Sequence, residues 1–328
     1  MTAVSYHDTV NDVQAIDLAP RGPFGRRDWF AALERGSGQP LYAVATDASG
    51  AVVFPLRRVG RRLEALLNWY AFTWRPLGTY HSSTDSLSIA LAGDLAGQAS
   101  YVVLDRVPDE DGTARLLQRA FERSGWLVLR EPCDTNRVLY VDGRFYADYL
   151  ADRPGRLRTT LKRRARKVDV TIFDRFDAEA WAAYEEIYAE SWKPEEGDPA
   201  LLRAFAEAEG AAGRIRLAVA RHEGTAVAAQ FWTVEDGTAY IHKLAHRESA
   251  KPLSPGTTLT AALMERVIDG DRVQCIDFGT GDDPYKQDWM EDSRPRYRLK
   301  CWRPSDPRNW PAIGKAKLRT LVSRDSHG

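Results

Sequence analysis

Between residues 238 and 289 the chain reads strand, helix, strand, and this order restricts the fold more than any other feature of the sequence. TAYIHKLAH (238–246) is an apolar strand joined by an EDG turn to the preceding run AVAAQFWTV. KPLSPGTTLTAALMERVIDG (251–270) follows with the signals of a helix: Ser254 as N-cap, Pro255 at the first helical position, and Gly270 at the stop. Leu259, Ala262, Leu263 and Val267 form its buried stripe. The second strand, VQCIDFG, then runs into a Gly-rich corner, GDDPYKQDW (281–289). Ligands of such β-α-β units bind outside the carboxyl ends of the strands. Asp277, Thr280, Asp282, Tyr285 and Lys286 fall at that end. With Gly256 in the first turn, the N–H groups of Gly256, Thr257 and Thr258 stay open to close approach. Together with the helix dipole and the two threonine hydroxyls they suit a phosphate or pyrophosphate.

The chain has 328 residues, 44% of them hydrophobic, which is more than one compact domain ordinarily needs and predicts two. Lys plus Arg and Asp plus Glu are equal at 46 each, so the whole molecule has no field to draw it to nucleic acid or an anionic membrane. Cys133, Cys275 and Cys301 are too widely spaced for a zinc clip and fit a reducing compartment. The opening MTAVSYHDTVNDVQAIDL lacks the basic and apolar regions of a signal peptide, and no apolar run reaches a membrane span. A cytoplasmic protein is expected.

In the first half, LYAVATDASGAVVFPLRR (41–58) reads as a hairpin turned at DASG. SYVVLDRV (100–107) is a strand, TARLLQRAFERSG (113–125) a helix closed by Gly125, and WLVLREP and RVLYVDG two further strands. The second half repeats the device, since RIRLAVARHEGTAVAAQFWTV pairs two apolar runs across HEG much as the first half does. RLRTTLKRRARKV (156–168) has seven basic residues in thirteen. Its Leu157, Leu161, Ala165 and Val168 fall at helical spacing, which predicts a linker helix with one packed stripe and a wet basic face. A local role in docking an anionic partner is the other reading. AEAWAAYEEIYAESW (178–192) places Trp181, Tyr184, Tyr188 and Trp192 on one helical stripe, with Trp192 and Lys193 at the end able to line a cleft.

YIHKLAH, LSPGTTL and IDFGTGDDPYKQDW, in that order, resemble the C-terminal domain of the GNAT acyltransferase superfamily. The likeness is to the branch with CelD-like cellulose-biosynthesis acetyltransferases, related to the Fem peptidyltransferases. It covers roughly residues 145–300, and RLRTTLKRRARKV and the ESWK helix end share it. The resemblance implies an α/β fold (an α+β mixed sheet) of two tandem GNAT-like domains. Residues 1–150 would be a degenerate N-terminal domain. Residues 151–328 would be the acyltransferase domain, with the basic linker helix at 154–168. It also implies acyl-CoA, acetyl-CoA foremost, as co-substrate, its pyrophosphate held by Ser254, Pro255, Gly256, Thr257, Thr258 and Lys286. Most GNAT domains carry Gln/Arg-x-x-Gly-x-Gly/Ala at this point, where this chain has Lys251-Pro-Leu-Ser-Pro-Gly, with one glycine for two. Fem relatives use aminoacyl-tRNA, which makes tRNA the alternative donor.

The expected reaction is transfer of an acyl group from a thioester to the primary amine of a small molecule or amino-sugar. Attack needs a neutral amine, so a base must take its proton. Asp277, His242 and Glu190 are the candidates. The resemblance puts Tyr285 where a tyrosine protonates the leaving thiolate. Lys286 and Lys243 are placed to neutralise phosphate or an acceptor carboxylate. Trp192, Lys193, Gln230, Trp232, Lys243 and Asp282 are the candidate acceptor-binding residues. Trp289 shares the helical face of Tyr285 and is expected to pack. No metal is expected, because His242 and His246 have helical ligand spacing but lie on a strand. Serine-nucleophile chemistry is not expected either, because no G-x-S-x-G elbow occurs. A GNAT fold serving only as a binding module is the remaining alternative.

Overall fold

The computed structural model describes residues 2–36, 38–78 and 84–325, with backbone only at Thr84 and over 319–325. Its strands are β1 (Ala3–His7), β2 (Gln39–Asp47), β3 (Gly50–Val59), β4 (Arg62–Ala65), β5 (Leu77–Gly78), β6 (Tyr101–Pro108), β7 (Leu127–Tyr140), β8 (Asp169–Phe173), β9 (Ile215–His222), β10 (Thr225–Glu235), β11 (Thr238–His246), β12 (Cys275–Thr280) and β13 (Asp292–Trp302). Its α-helices are α1 (Arg27–Glu34), α2 (Thr84–Asp94), α3 (Thr113–Arg123), α4 (Tyr146–Ala151), α5 (Gly155–Arg164), α6 (Ala178–Ala189), α7 (Pro199–Ala211), α8 (Pro255–Glu265), α9 (Pro284–Trp289) and α10 (Trp310–Asp325).

The chain divides into two compact units, one of residues 1–134 with 294–328 and the other of residues 135–293. This corrects the expected division at 150/151. The end of the chain belongs with the first half because β13 pairs antiparallel with β6, from Arg296↔Pro108 to Trp302↔Tyr101. The division also falls inside β7, where two separate strands were expected and one continuous strand runs from Leu127 to Tyr140.

In the first unit the strands follow the order β1-β2-β3-β4-β6-β13, with β5 on β3. The hairpin at DASG forms as its turn residues dictate, with Asp47 opposite Gly50. Leu87 and Leu91 of α2 and Leu117 and Phe121 of α3 pack on Leu41, Phe54 and Leu104 of the sheet. Leu299 and Cys301 of β13 complete that core and are fully buried.

In the second unit the order is β7-β12-β11-β10-β9-β8, antiparallel except for β11 with β12, which makes the sheet mixed. Successive side chains of a strand point to opposite faces. Trp232 of β10 therefore packs with Leu259 and Leu263 of α8 and Leu157 and Leu161 of α5. Phe231, its neighbour, turns the other way onto Trp181 of α6 and Phe205 of α7. The basic segment behaves as its spacing predicts: Leu157, Leu161 and Val168 are buried, while Arg158, Lys162, Arg163, Arg166 and Lys167 face solvent. Among the described residues no helix is long and apolar enough to cross a membrane.

Candidate active site

β11 and β12 run side by side only from Thr238↔Cys275 to Tyr240↔Asp277, where their ladder ends. Past that point β11 continues to His246, while β12 bulges and pairs with β7 at Thr280↔Asn136. β11 is itself irregular there, because its register on β10 slips between Phe231↔Lys243 and Trp232↔Ile241, with His242 as the extra residue. The two parallel strands thus part at their carboxyl ends, and α8 begins beside them.

The start of α8 differs from expectation in one respect. Ser254 does not cap the helix with its side chain; it takes a left-handed conformation (φ 53°, ψ 47°), and its N–H donates to the Lys251 carbonyl at 3.0 Å. The first helical bond is Thr258 N–H to Ser254 O, 3.3 Å. The N–H groups of Gly256 and Thr257 precede it, so no carbonyl of the helix accepts from them. Pro255, with no N–H, fits the first position. Gly256 lies close to β11: a β-carbon there would sit 3.4 Å from Leu244 Cδ1 and 3.7 Å from His246 Cδ2.

Tyr285 reaches this first turn from α9. Asp283 caps α9 by accepting from Lys286 N–H at 3.2 Å, and Pro284 opens it. The Tyr285 hydroxyl lies 2.7 Å from Thr260 Oγ1 and donates to the Gly256 carbonyl at 3.2 Å. Gln230 continues the network, its Nε2 donating to Thr260 Oγ1 (2.6 Å) and Gly256 O (3.1 Å), while its Oε1 accepts from Trp232 Nε1 (2.8 Å). One directed circuit satisfies every member: Trp232 to Gln230, Gln230 to Thr260 and Gly256, Thr260 to Tyr285, and Tyr285 to Gly256. Burial raises the Tyr285 phenol well above its ordinary range, so it keeps its proton at neutral pH.

Gln230 and Trp232 are therefore not cleft residues, as expected from sequence, but fully buried members of this circuit. Strand register decides it, since both face α8. Asp277 is also buried; its carboxylate accepts from Asn136 Nδ2 (3.1 Å) and from Gly279 N–H (2.8 Å) and fixes the corner. Glu190 lies at the surface in an ion pair with Arg247. Asp282 pairs with Arg137 (2.5 Å), half-exposed on the far side of the corner. His242 is partly buried, its ring stacked on Phe231 (4.9 Å) and edge-on to Phe205 (5.2 Å), with Nε2 2.8 Å from Thr233 Oγ1.

The remaining candidates gather around the connection from α6 to α7. Trp192, half-exposed, lies against the His246 ring at 4.3 Å. Lys243 pairs with Glu196 at 2.9 Å and stands over the Tyr188 ring at 5.2 Å. Lys286 donates to the Thr280 carbonyl and lies 5.2 Å from the centre of the Phe278 ring. Thr260 and Glu196 were missed in the sequence. Thr260 stands one turn after Gly256 on the same helical face, a spacing that points to it. Glu196 sits in the loop PEEGDP, where no periodicity singles it out. Among the described residues no group of three or more His, Cys, Asp or Glu side chains is arranged to hold a metal ion.

A mixed sheet whose parallel pair parts beside an uncapped helix start is the fold of GNAT-like domains, here in a two-domain arrangement. Residues 153–287 match the family model described as Acetyltransferase (GNAT) domain. No curated protein matches the chain. Among solved structures it is similar to FemX (TM-score 0.62, 11% identity, covering 91% of this chain and 96% of that one). It is also similar to L-PGS from Bacillus licheniformis (TM-score 0.53, 15% identity, 90% and 92%). A third is a tandem GNAT protein from the clavulanic acid biosynthesis pathway (TM-score 0.52, 14% identity, 91% and 98%). At these identities the likeness is one of fold.

Proposed function

We propose that the protein is an N-acyltransferase that moves an acyl group from acyl-CoA to the primary amine of a small molecule by direct attack on the thioester. The observation that carries this reading is the first turn of α8, where two N–H groups without helical acceptors stand beside the parting strands. Acyl-CoA, when bound, supplies the acyl group in activated form. The Gly256 and Thr257 amides and the Thr257 hydroxyl would hold its pyrophosphate, and the buried side of Gly256 lets the backbone come close. The Tyr285 hydroxyl, protonated and oriented by Thr260, would deliver its proton to the leaving sulfur. His242 is the candidate base, its Nε2 2.8 Å from Thr233 Oγ1, which fixes the ring. Asp277 and Glu190 are engaged elsewhere.

Thermal unfolding with acetyl-CoA, longer acyl-CoAs and free CoA tests the donor. A ligand at 100 times its Kd stabilises by about 2.7 kcal/mol, which is several degrees in Tm. The exposed Arg158, Lys162, Arg163, Arg166 and Lys167 favour a second reading, in which the donor is aminoacyl-tRNA. No shift with any thioester, together with tRNA retention that weakens steeply with salt, would replace the first reading by the second.

A further inference from the structure

Lys193 is a candidate residue whose ammonium meets no carboxylate among the described residues. It stands in the connection between α6 and α7 and lines a cavity of about 440 Å3 with Tyr184, Tyr188, Glu196 and Leu202. Among the described residues no carboxylate pairs with its ammonium; its marked contact is the Trp192 ring, 5.8 Å away. The neighbouring charges come from three elements. Lys243 of β11 and Lys286 of α9 repel it, while Glu196 in its own connection and Asp283 at the start of α9 attract it. Both acids already have partners. Glu196 accepts from Lys243 (2.9 Å) and from the Tyr184 hydroxyl (3.2 Å), and Asp283 caps α9. Of the other acids on the cavity wall, Glu185 accepts from the Trp181 indole at 2.8 Å and Glu195 faces solvent.

An ammonium removed from water without a counter-ion is costly, and three lysines drawn together multiply that cost. We propose that this cavity is an anion subsite, which takes a carboxylate or phosphate carried by the acceptor amine and pairs it with Lys193 under the field of Lys243 and Lys286. The inference rests on the acyltransferase reading and gives its acceptor a class: amines that also bear an acidic group, such as amino acids or phosphorylated amino-sugars. Tyr184 and Tyr188 offer their rings to the hydrocarbon part of such a molecule. Burial first, then Lys243 and Lys286, pull Lys193 down to about 8. Below that pH it carries the charge an anion needs; above it the charge is lost.

The test is thermal unfolding of the full chain and of Lys193→Met in acetate, inorganic phosphate or chloride at equal ionic strength, at pH 6.5 and 9.5. The expected result is a rise of roughly 2 °C or more over chloride in the wild type at pH 6.5, much smaller at pH 9.5 and absent in Lys193→Met. A shift with acetate alone identifies a carboxylate acceptor and one with phosphate alone a phosphorylated acceptor. No anion-specific shift at pH 6.5 overturns the proposal, as does a shift that Lys193→Met retains, which would belong to the start of α8. If Lys193→Met does not fold, the wild-type pH comparison decides, because the α8 amides do not titrate and phosphate gains charge at pH 9.5. An acetyl-CoA shift without an anion shift sinks this subsite and spares the acyltransferase; the reverse result does the opposite.

Discussion

Tyr285 ties Thr260 to Gly256 and is the proposed proton donor, and one substitution tests both. Tyr285→Phe removes the hydroxyl between Thr260 and Gly256 and leaves the buried Thr260 hydroxyl without its acceptor. The expected cost is about 1–2 kcal/mol in unfolding free energy. If Tyr285 is also the proton donor, turnover falls by about a hundredfold or more while affinity for acetyl-CoA holds; unchanged turnover would assign it to structure alone. Gln230→Ala is the structural counterpart. It strips three hydrogen bonds and opens a void at a fully buried position, for an expected loss of about 2–4 kcal/mol by denaturant titration. Lys193 gives a pH signature. Its folded-state pKa, about 8, lies below the unfolded value, so the unfolded chain binds more protons between roughly pH 8 and 10 and stability rises with pH in that window. Its cost is full below pH 8. Lys193→Met should therefore be more stable than wild type at pH 7, by about 2–3 kcal/mol at most, and the advantage should shrink as pH approaches 10. Tm measured for both proteins across that range checks the sign.

Among the elements, α8 carries the clearest division between packing and ligand approach. Gly256→Ala places its new carbon in ordinary contact with Leu244 and His246, so the fold should tolerate it, with Tm within about 2 °C of wild type. It narrows the approach to the N–H groups, so CoA affinity measured by calorimetry should weaken, by about tenfold if the backbone is the docking point. An unchanged Kd would move the donor elsewhere. This helix was also the most legible element in the sequence: Pro255 and the Leu259, Leu263 and Val267 stripe predict its start and its buried face. Asp283-Pro284 likewise announced α9. What sequence could not give was direction. Whether Gln230 and Trp232 face a cleft or a helix depends on register, and a bulge at His242 resets it. Ser254 illustrates a smaller limit, because its side chain suits a cap while the backbone chose a left-handed turn.

At the scale of the whole molecule, the return of β13 to the first unit escaped the sequence, since nothing local in SRPRYRLKCW says which strand it will pair with. Its removal gives a test. A chain ending at residue 293 loses Leu299 and Cys301 from the first core, and Cys133 marks that unit while Cys275 marks the other. In the intact protein burial holds the Cys133 thiol up at about 12, so it should react slowly. After truncation Cys133 should label rapidly and Cys275 should stay protected, as read by mass spectrometry. Equal protection of both would show that the first unit closes without its last strand.

The pairing of β13 with β6 also fixes an order of events during synthesis. Residues 135–293 leave the ribosome as a contiguous stretch and can close their core while translation continues. The strands of the first unit must wait for β13, made only after the whole of residues 135–293, with the edge of β6 open in the interval. The first unit is thus closed out of sequence, by a strand that the ribosome supplies only after the second unit is complete.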